Sequence, residues 1–349
     1  FIFDKGRSAR AAALMMGGAA LDLSIGGGIA FQPLADIDDP VARAFGRDWI
    51  LSLLTHEGVA TDPAVKDEVW AALTNLASAP KIERTLTGLS LLLQSNKLRQ
   101  ALLPYTLEGP WGSLLDGKED RFAFSSVMHF ELEGLMETKG LVLPVLTYLF
   151  HRLEFRFDGR PTLLVLDEAW LFLDSPLFAS RIRDWLKTLR KKNVAVVFAT
   201  QSLADIASST IAPAIIESCP TRIFLPNDRA IEAQIRDIYE RFGLNTRQIE
   251  IISRATPKQD YYAQTARGNR LFDLNLGSLA LAICSASRPE DQRLMDQLLK
   301  EHDEIGFVIA FLRAKGFDHE ADLIAKATMQ PGHTYPDHGT AQSPPSSQE

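Results

Sequence analysis

Cysteine is almost missing from this sequence. Cys219 and Cys284 are the only two, which is too few for a disulfide framework and at no spacing that would ligate a metal, so a reducing cytosolic setting is expected. Long apolar runs are missing as well. The most apolar helical stretch, Gly140–Phe150, falls short of the ~20 residues needed to span a bilayer and is interrupted by Pro144. No signal-peptide pattern opens the chain and no internal repeat recurs. Positive charge is in deficit: 37 Lys and Arg against 44 Asp and Glu leave a formal net charge of −7. That balance disfavours broad electrostatic binding to nucleic acid or anionic lipid and leaves only a local basic patch open. An initiator methionine is absent too, so the chain, beginning at Phe1, is expected to be a piece of something longer. Apolar residues, by contrast, make up 46% of the 349, ample for one large domain with an insertion or for two domains.

The stretch that organises the rest is Leu163–Trp170, Leu-Leu-Val-Leu-Asp-Glu-Ala-Trp. Four apolar residues ending in two adjacent carboxylates have the pattern of a strand buried on both faces, with acid only at its carboxyl end. That end is where α/β proteins place their chemistry. In a phosphoryl-transfer ATPase the first acid, Asp167, would help hold Mg²⁺ and its waters, and the second, Glu168, would polarise the attacking water. The plainer alternative is a core strand leading into a helix whose first-turn acids suit the helix dipole.

Around that strand the chain reads as an α/β core with an all-helical insertion. Residues 1–38 hold the first part of the core: a buried strand ending at Asp4, a polar turn and an Ala/Leu/Met helix. Residues 39–120 read as a helical lobe and return loop. There, Asp39-Pro40 and Asp62-Pro63 each join an N-cap to a first-turn proline ahead of an amphipathic run. Two shorter helices are expected at Arg84–Gln94 and Asn96–Leu103. The core resumes over 121–288, with a strand at Phe122–Phe130, helices at Gly140–Leu153 and Pro176–Lys192, and strands at Val194–Thr200 and Thr221–Pro226. Then come a helix from Ala230 to Phe242 ended by Gly243, a hairpin of Tyr261–Thr265 and Leu271–Leu276, and a strand at Leu279–Cys284. Helices follow over 289–329. The stretch 330–349, rich in Pro, Ser, Gly and His, has the composition of a disordered tail whose two histidines make no metal site.

Two glycine-rich stretches imitate a phosphate loop. Gly26-Gly27-Gly28 is followed by no Gly-Lys-Ser/Thr and is expected to have no strand feeding it, so it reads as a flexible turn. Gly112–Glu119 fits G-x-x-x-x-G-K, but Glu119 stands where the Mg²⁺-binding hydroxyl belongs, and Asp116 and Asp120 would repel phosphate.

Two further features carry chemistry or imitate it. On the Pro176–Lys192 helix, Phe178, Ile182, Trp185, Leu186 and Leu189 share one face, while Arg183, Lys187 and Arg190 recur on another, with Lys191 and Lys192 closing the last turn. Cations there suit the helix dipole; the sharper alternative is an arginine finger acting on a neighbouring subunit, with Arg190 the first candidate. Gln201 follows the Val194–Thr200 strand. It is placed either to orient water and sense a γ-phosphate or simply to cap a loop.

Taken together, these motifs identify a family resemblance. Asp167-Glu168-Ala169-Trp170, the run Asp184–Asn193, Phe198-Ala199-Thr200-Gln201-Ser202 and Thr221–Asn227 closely resemble the VirB/TrbE-type ATPases of conjugative type IV secretion systems. Phe3–Ser8 and Ala30–Leu34 resemble the TrbE branch. The likeness runs from Phe1 to about Arg288. It implies a RecA-like P-loop NTPase core, with a mostly parallel sheet flanked by helices, interrupted by a helical lobe. It also implies a Mg-ATP-driven motor in the bacterial cytoplasm, peripheral on the inner membrane, homo-oligomeric as hexamers or dimers of trimers. Such a motor would work with other inner-membrane secretion subunits in pilus assembly and substrate transfer. By position, Asp167 resembles the Walker B magnesium residue, Glu168 the catalytic base and Gln201 the sensor. The family's phosphate loop precedes the strand ending at Asp4, so this chain alone is expected to bind ATP poorly and hydrolyse it negligibly. A DNA-translocating motor of the coupling-protein or FtsK-like kind is the alternative, with direct DNA binding unsupported by the charge. A non-catalytic scaffold is a third reading.

Overall fold

Eight short strands and a larger number of helices alternate along the computed structural model, which describes residues 1–328 apart from 121, 123, 169–171 and 173–175. The strands are β1 (Ile2–Asp4), β2 (Ala19–Asp22), β3 (Met128–Glu131), β4 (Thr162–Leu166), β5 (Val194–Phe198), β6 (Arg222–Phe224), β7 (Asp260–Thr265) and β8 (Gly268–Asp273). The chain forms two compact units. One comprises Phe1–Lys5 with Gly140–Ser278; the other comprises Gly6–Lys139 with the residues from Leu279 on.

In the first unit β1, β4 and β5 pair in parallel, Phe3 beside Leu166 and Leu166 beside Phe198. Phe3, Leu164 and Leu166 are fully buried on one face. They lie beneath the helices Lys139–Glu154 and Pro176–Thr188, where the Phe150 ring meets Phe3 (5.4 Å), Phe172 (5.7 Å), Phe178 (5.7 Å) and Trp185 (4.7 Å) between centroids. Phe178, Ile182, Trp185 and Leu189 are buried as their spacing predicts. The indole N–H of Trp185 donates to Glu154 (2.8 Å), so the ring is buried without orphaning its polar atom. The expectation of a strand buried on both faces is overturned: Leu163 is 53% and Val197 45% exposed. An apolar run records which residues are suited to burial, not whether this chain supplies a cover for each face.

The same unit carries an antiparallel sheet, β6-β7-β8. The expected hairpin is present but shifted, with Thr265 opposite Gly268 and the second strand ending at Asp273. The helix expected from Ala230 to Phe242 is broken. Asn227 caps a 3-10 turn over Asp228–Ile231, Glu232 is extended, and the helix proper runs Ala233–Arg241 before Gly243 (φ 84°) ends it.

In the second unit β2 and β3 pair in parallel, Asp22 beside Glu131. The strand expected at Phe122–Phe130 contracts to Met128–Glu131. β2 was not legible because Ala-Ala-Leu-Asp lacks the β-branched residues that mark strands. Between β2 and β3 the regular elements are helices. Asp39 accepts from the Ala42 N–H (2.8 Å) and Asp62 from the Val65 N–H (2.9 Å), as the Asp-Pro signatures predict. Asp116, buried, ties this lobe together: it accepts from the amides of Leu86, Thr87 and Leu107 and from the Thr87 hydroxyl. Asp116→Ala is expected to orphan these donors and destabilise this unit by about 3 kcal/mol, read as a lower urea midpoint. An unchanged midpoint would show that water satisfies them.

The C-terminal helices Pro289–Glu301, Glu304–Ala314 and Asp318–Thr328 complete this unit. Met295, Leu298, Phe307 and Phe311 pack with Ala11 and Leu14 of the helix Arg10–Met15. The strand expected at Leu279–Cys284 is a helix, Ser278–Cys284. Its Leu/Ala alternation imitates a strand, yet Leu and Ala are strong helix formers. The tail 330–349 lies outside the described residues.

Candidate active site

The carboxyl ends of β1, β4 and β5 carry the acids and the amide singled out from the sequence. The Asp167 N–H donates to Phe3 O (2.9 Å) and the Ala199 N–H to Leu166 O (3.0 Å), so both ladders run on to the residues where polar chemistry begins. Asp167 and Glu168 follow β4 directly. Glu168 has a left-handed backbone (φ 53°), rare for a non-glycine residue and costly by about 1–3 kcal/mol. This kink turns the chain out of the strand. Ala169 and Trp170 of the motif lie outside the described residues.

Gln201, three residues beyond β5, donates its side-chain N–H to the Glu168 carboxylate (2.5 Å). Two of the residues read from different strands are therefore brought together. Ser202 caps the next helix by accepting from the Ala204 N–H (3.2 Å), which fixes where the strand stops and how Gln201 is presented.

Asp4 was missed as a site residue. It is fully buried at the end of β1, where its charge acts on Asp167. The available signal was the same one that exposed Asp167, an acid terminating an apolar strand. Burial lifts the Asp167 carboxyl above its usual range, the negative charges of Asp4 and Glu168 lift it further, and the bond from the Glu168 N–H opposes them. Hard carboxylate oxygens are what a divalent cation such as Mg²⁺ selects. Asp167 is the residue that would hold it, through water.

Arg190 stands elsewhere. It lies exposed in the 3-10 turn Leu189–Lys192, at the amino end of β5. β5 is five residues long, so Arg190 is roughly 16 Å or more from the acids along the strand direction. Nearby Arg183 is spent on the Thr210 carbonyl (3.3 Å).

The two glycine-rich imitations are also accounted for. Gly112–Leu115 is a short helix, and the amides of Leu114, Leu115, Asp116 and Gly117 already donate to backbone carbonyls, leaving none of these to cradle phosphate. A Cβ on Gly112 would lie 2.0 Å from Thr106 O, so close backbone approach explains this glycine. The triplet Gly26–Gly28 does follow a strand, β2, contrary to expectation, but the next helix begins only at Pro40.

A family model described as the TraG P-loop domain matches residues 93–267, half of the chain. The chain is 43% identical over 331 residues to a probable TrbE conjugal transfer protein of Sinorhizobium fredii (strain NBRC 101917 / NGR234), covering 93% of this chain and 49% of that protein. It is 42% identical over 331 residues to the conjugal transfer protein TrbE of Rhizobium radiobacter, covering 93% and 40%. Among solved structures, VirB4 of Thermoanaerobacter pseudethanolicus superposes with a TM-score of 0.61 at 17% identity over 80% of this chain and 82% of that one, a likeness of fold. The chain spans about half the length, or less, of these curated relatives. With its mostly parallel α/β core and the acid and amide motifs at the strand ends, the chain belongs to the TraG P-loop domain family and is similar to TrbE-type conjugal transfer proteins.

Proposed function

We propose that this chain is the carboxylate-bearing portion of a Mg-ATP-hydrolysing motor subunit of a conjugative type IV secretion system, driving pilus assembly and the transfer of DNA or protein. The observation that carries the reading is the Glu168–Gln201 bond at the ends of adjacent strands, beside Asp167. Asp167 would hold Mg²⁺ through its waters, and the ion would supply neutralisation of phosphate charge. Glu168 accepts a proton from the attacking water, and Gln201 holds the Glu168 carboxylate in place and orients that water. The residues gripping the β- and γ-phosphates are assigned upstream of β1, so hydrolysis belongs to the longer protein.

Arg190 is assigned to a neighbouring subunit's site, because its own site lies at the far end of the sheet. The assembly is a homo-oligomer, hexameric, working with other inner-membrane secretion subunits from the cytoplasmic face of the membrane. Among the described residues no helix is long and apolar enough to cross it. In the assembled, phosphate-loop-containing protein, Arg190→Ala is expected to lower ATP turnover by about a thousandfold while nucleotide binding persists. Mixing Arg190→Ala with Glu168→Gln subunits should restore some of the turnover, since some interfaces then pair an intact arginine with an intact acid. Wild-type turnover by Arg190→Ala alone would remove the finger assignment.

A further inference from the structure

β1 ends one residue before a cation. Its last residue, Asp4, is fully buried, and Lys5 follows it exposed to solvent. β1 pairs in parallel with β4, Phe3 beside Leu166, and the Asp167 N–H donates to Phe3 O, so the register carries on to set Asp4 beside Asp167. Lys5 stands one residue further out, on the strand next to the one that delivers Glu168. Gly6 (φ 86°) and Arg7 (φ 58°) have left-handed backbones, so the extended chain stops at Lys5. Lys5, Asp167 and Glu168 belong to one compact unit.

What Lys5 is for is set by what it does not touch. Three acids, Asp4, Asp167 and Glu168, share this end of the sheet, and the charges acting on Asp167 are both negative. A lysine placed to balance these acids would pair with one of them. Yet among the described residues Lys5 makes no hydrogen bond and no ion pair. The nearest arginine in sequence is not available either: Arg7 is spent on Asp22 (2.9 Å) within the second unit. A polyphosphate would bring further negative charge to this end of the sheet, so an uncommitted cation there has a natural counterpart. Glu168 acts on the water that attacks the terminal phosphate, which places that phosphate beside Glu168. Neighbouring strands lie about 4.8 Å apart, and lysine carries its charge on a flexible four-carbon stem with three donors.

We propose that Lys5 is a phosphate-binding residue of this site, its ammonium donating to the terminal phosphate of the bound triphosphate. The site thereby distinguishes a nucleoside triphosphate from the diphosphate. This assignment rests on the ATPase reading and adds one contact to the phosphate grip assigned upstream of β1.

The test measures equilibrium binding of AMP-PNP, a non-hydrolysable triphosphate, and of ADP to the phosphate-loop-containing protein with Mg²⁺. Lys5→Gln is expected to weaken AMP-PNP by about tenfold and ADP by less than about twofold, because only the triphosphate carries the group that Lys5 contacts. Lys5→Arg keeps the charge and should recover most of the loss. Urea midpoints should match in all three proteins, since Lys5 is exposed and has no partner to lose among the described residues. Unchanged AMP-PNP affinity in Lys5→Gln would overturn the assignment and leave the motor reading standing. So would equal weakening of both nucleotides, the pattern of a lysine that only balances the acids. A parent protein that binds neither nucleotide removes the motor reading, and this assignment with it.

Discussion

Glu168→Gln in the phosphate-loop-containing protein is expected to reduce Mg-dependent ATP turnover by about a hundredfold or more, with nucleotide affinity little changed. The amide keeps the size of the side chain and an oxygen to accept the Gln201 N–H, so the local geometry has little reason to shift. What it loses is the ability to take a proton from water. The left-handed backbone at this position is equally strained with either residue, so folding stability should be unaffected. A variant that hydrolyses ATP as fast as the parent would remove Glu168 from its proposed role. A parent that hydrolyses no ATP above background would favour a scaffold.

Phe150→Ala is expected to have the largest effect on stability, about 3–5 kcal/mol, or about two to four orders of magnitude in the folding equilibrium. Phe150 is fully buried and its ring meets Phe3, Phe172, Phe178 and Trp185. Those neighbours come from a strand and from separate helical segments, so no single side chain can relax into the space. Denaturant unfolding should show the loss as a lower midpoint at unchanged slope. A cost below about 1 kcal/mol would mean that the aromatic cluster collapses on the cavity, and that its rings are less tightly locked than their packing implies.

Much of this arrangement was legible in the residues. Asp39 and Asp62 announced their helices because a side-chain cap and a first-turn proline act locally. The Phe178–Leu189 face was legible because helical spacing is a local property as well. Asp167, Glu168 and Gln201 were found because polar residues ending apolar strands stand out against them. What could not be read depended on distant partners. β2 exists as a strand through pairing with β3, not through its own composition. Leu279–Cys284 carries a pattern compatible with strand or helix, and its propensity decided. The bare face of β4 was hidden, since Leu163 and Leu164 look alike in sequence while one is exposed and the other fully buried. The role of Asp4 emerged only when register set Phe3 beside Leu166 and brought the next residues together.

The separation of Arg190 from the acids gives each protomer a direction. One end of the sheet offers a cation and the other presents the carboxylates, so a head-to-tail interface, which joins unlike surfaces, brings one to the other. Under the proposed assignment protomers stack in that way. A closed ring then completes every site, whereas an open chain of protomers always leaves one terminal site unfinished. Ring closure itself would become a condition for full activity, and incomplete assemblies would consume less fuel for each subunit they contain.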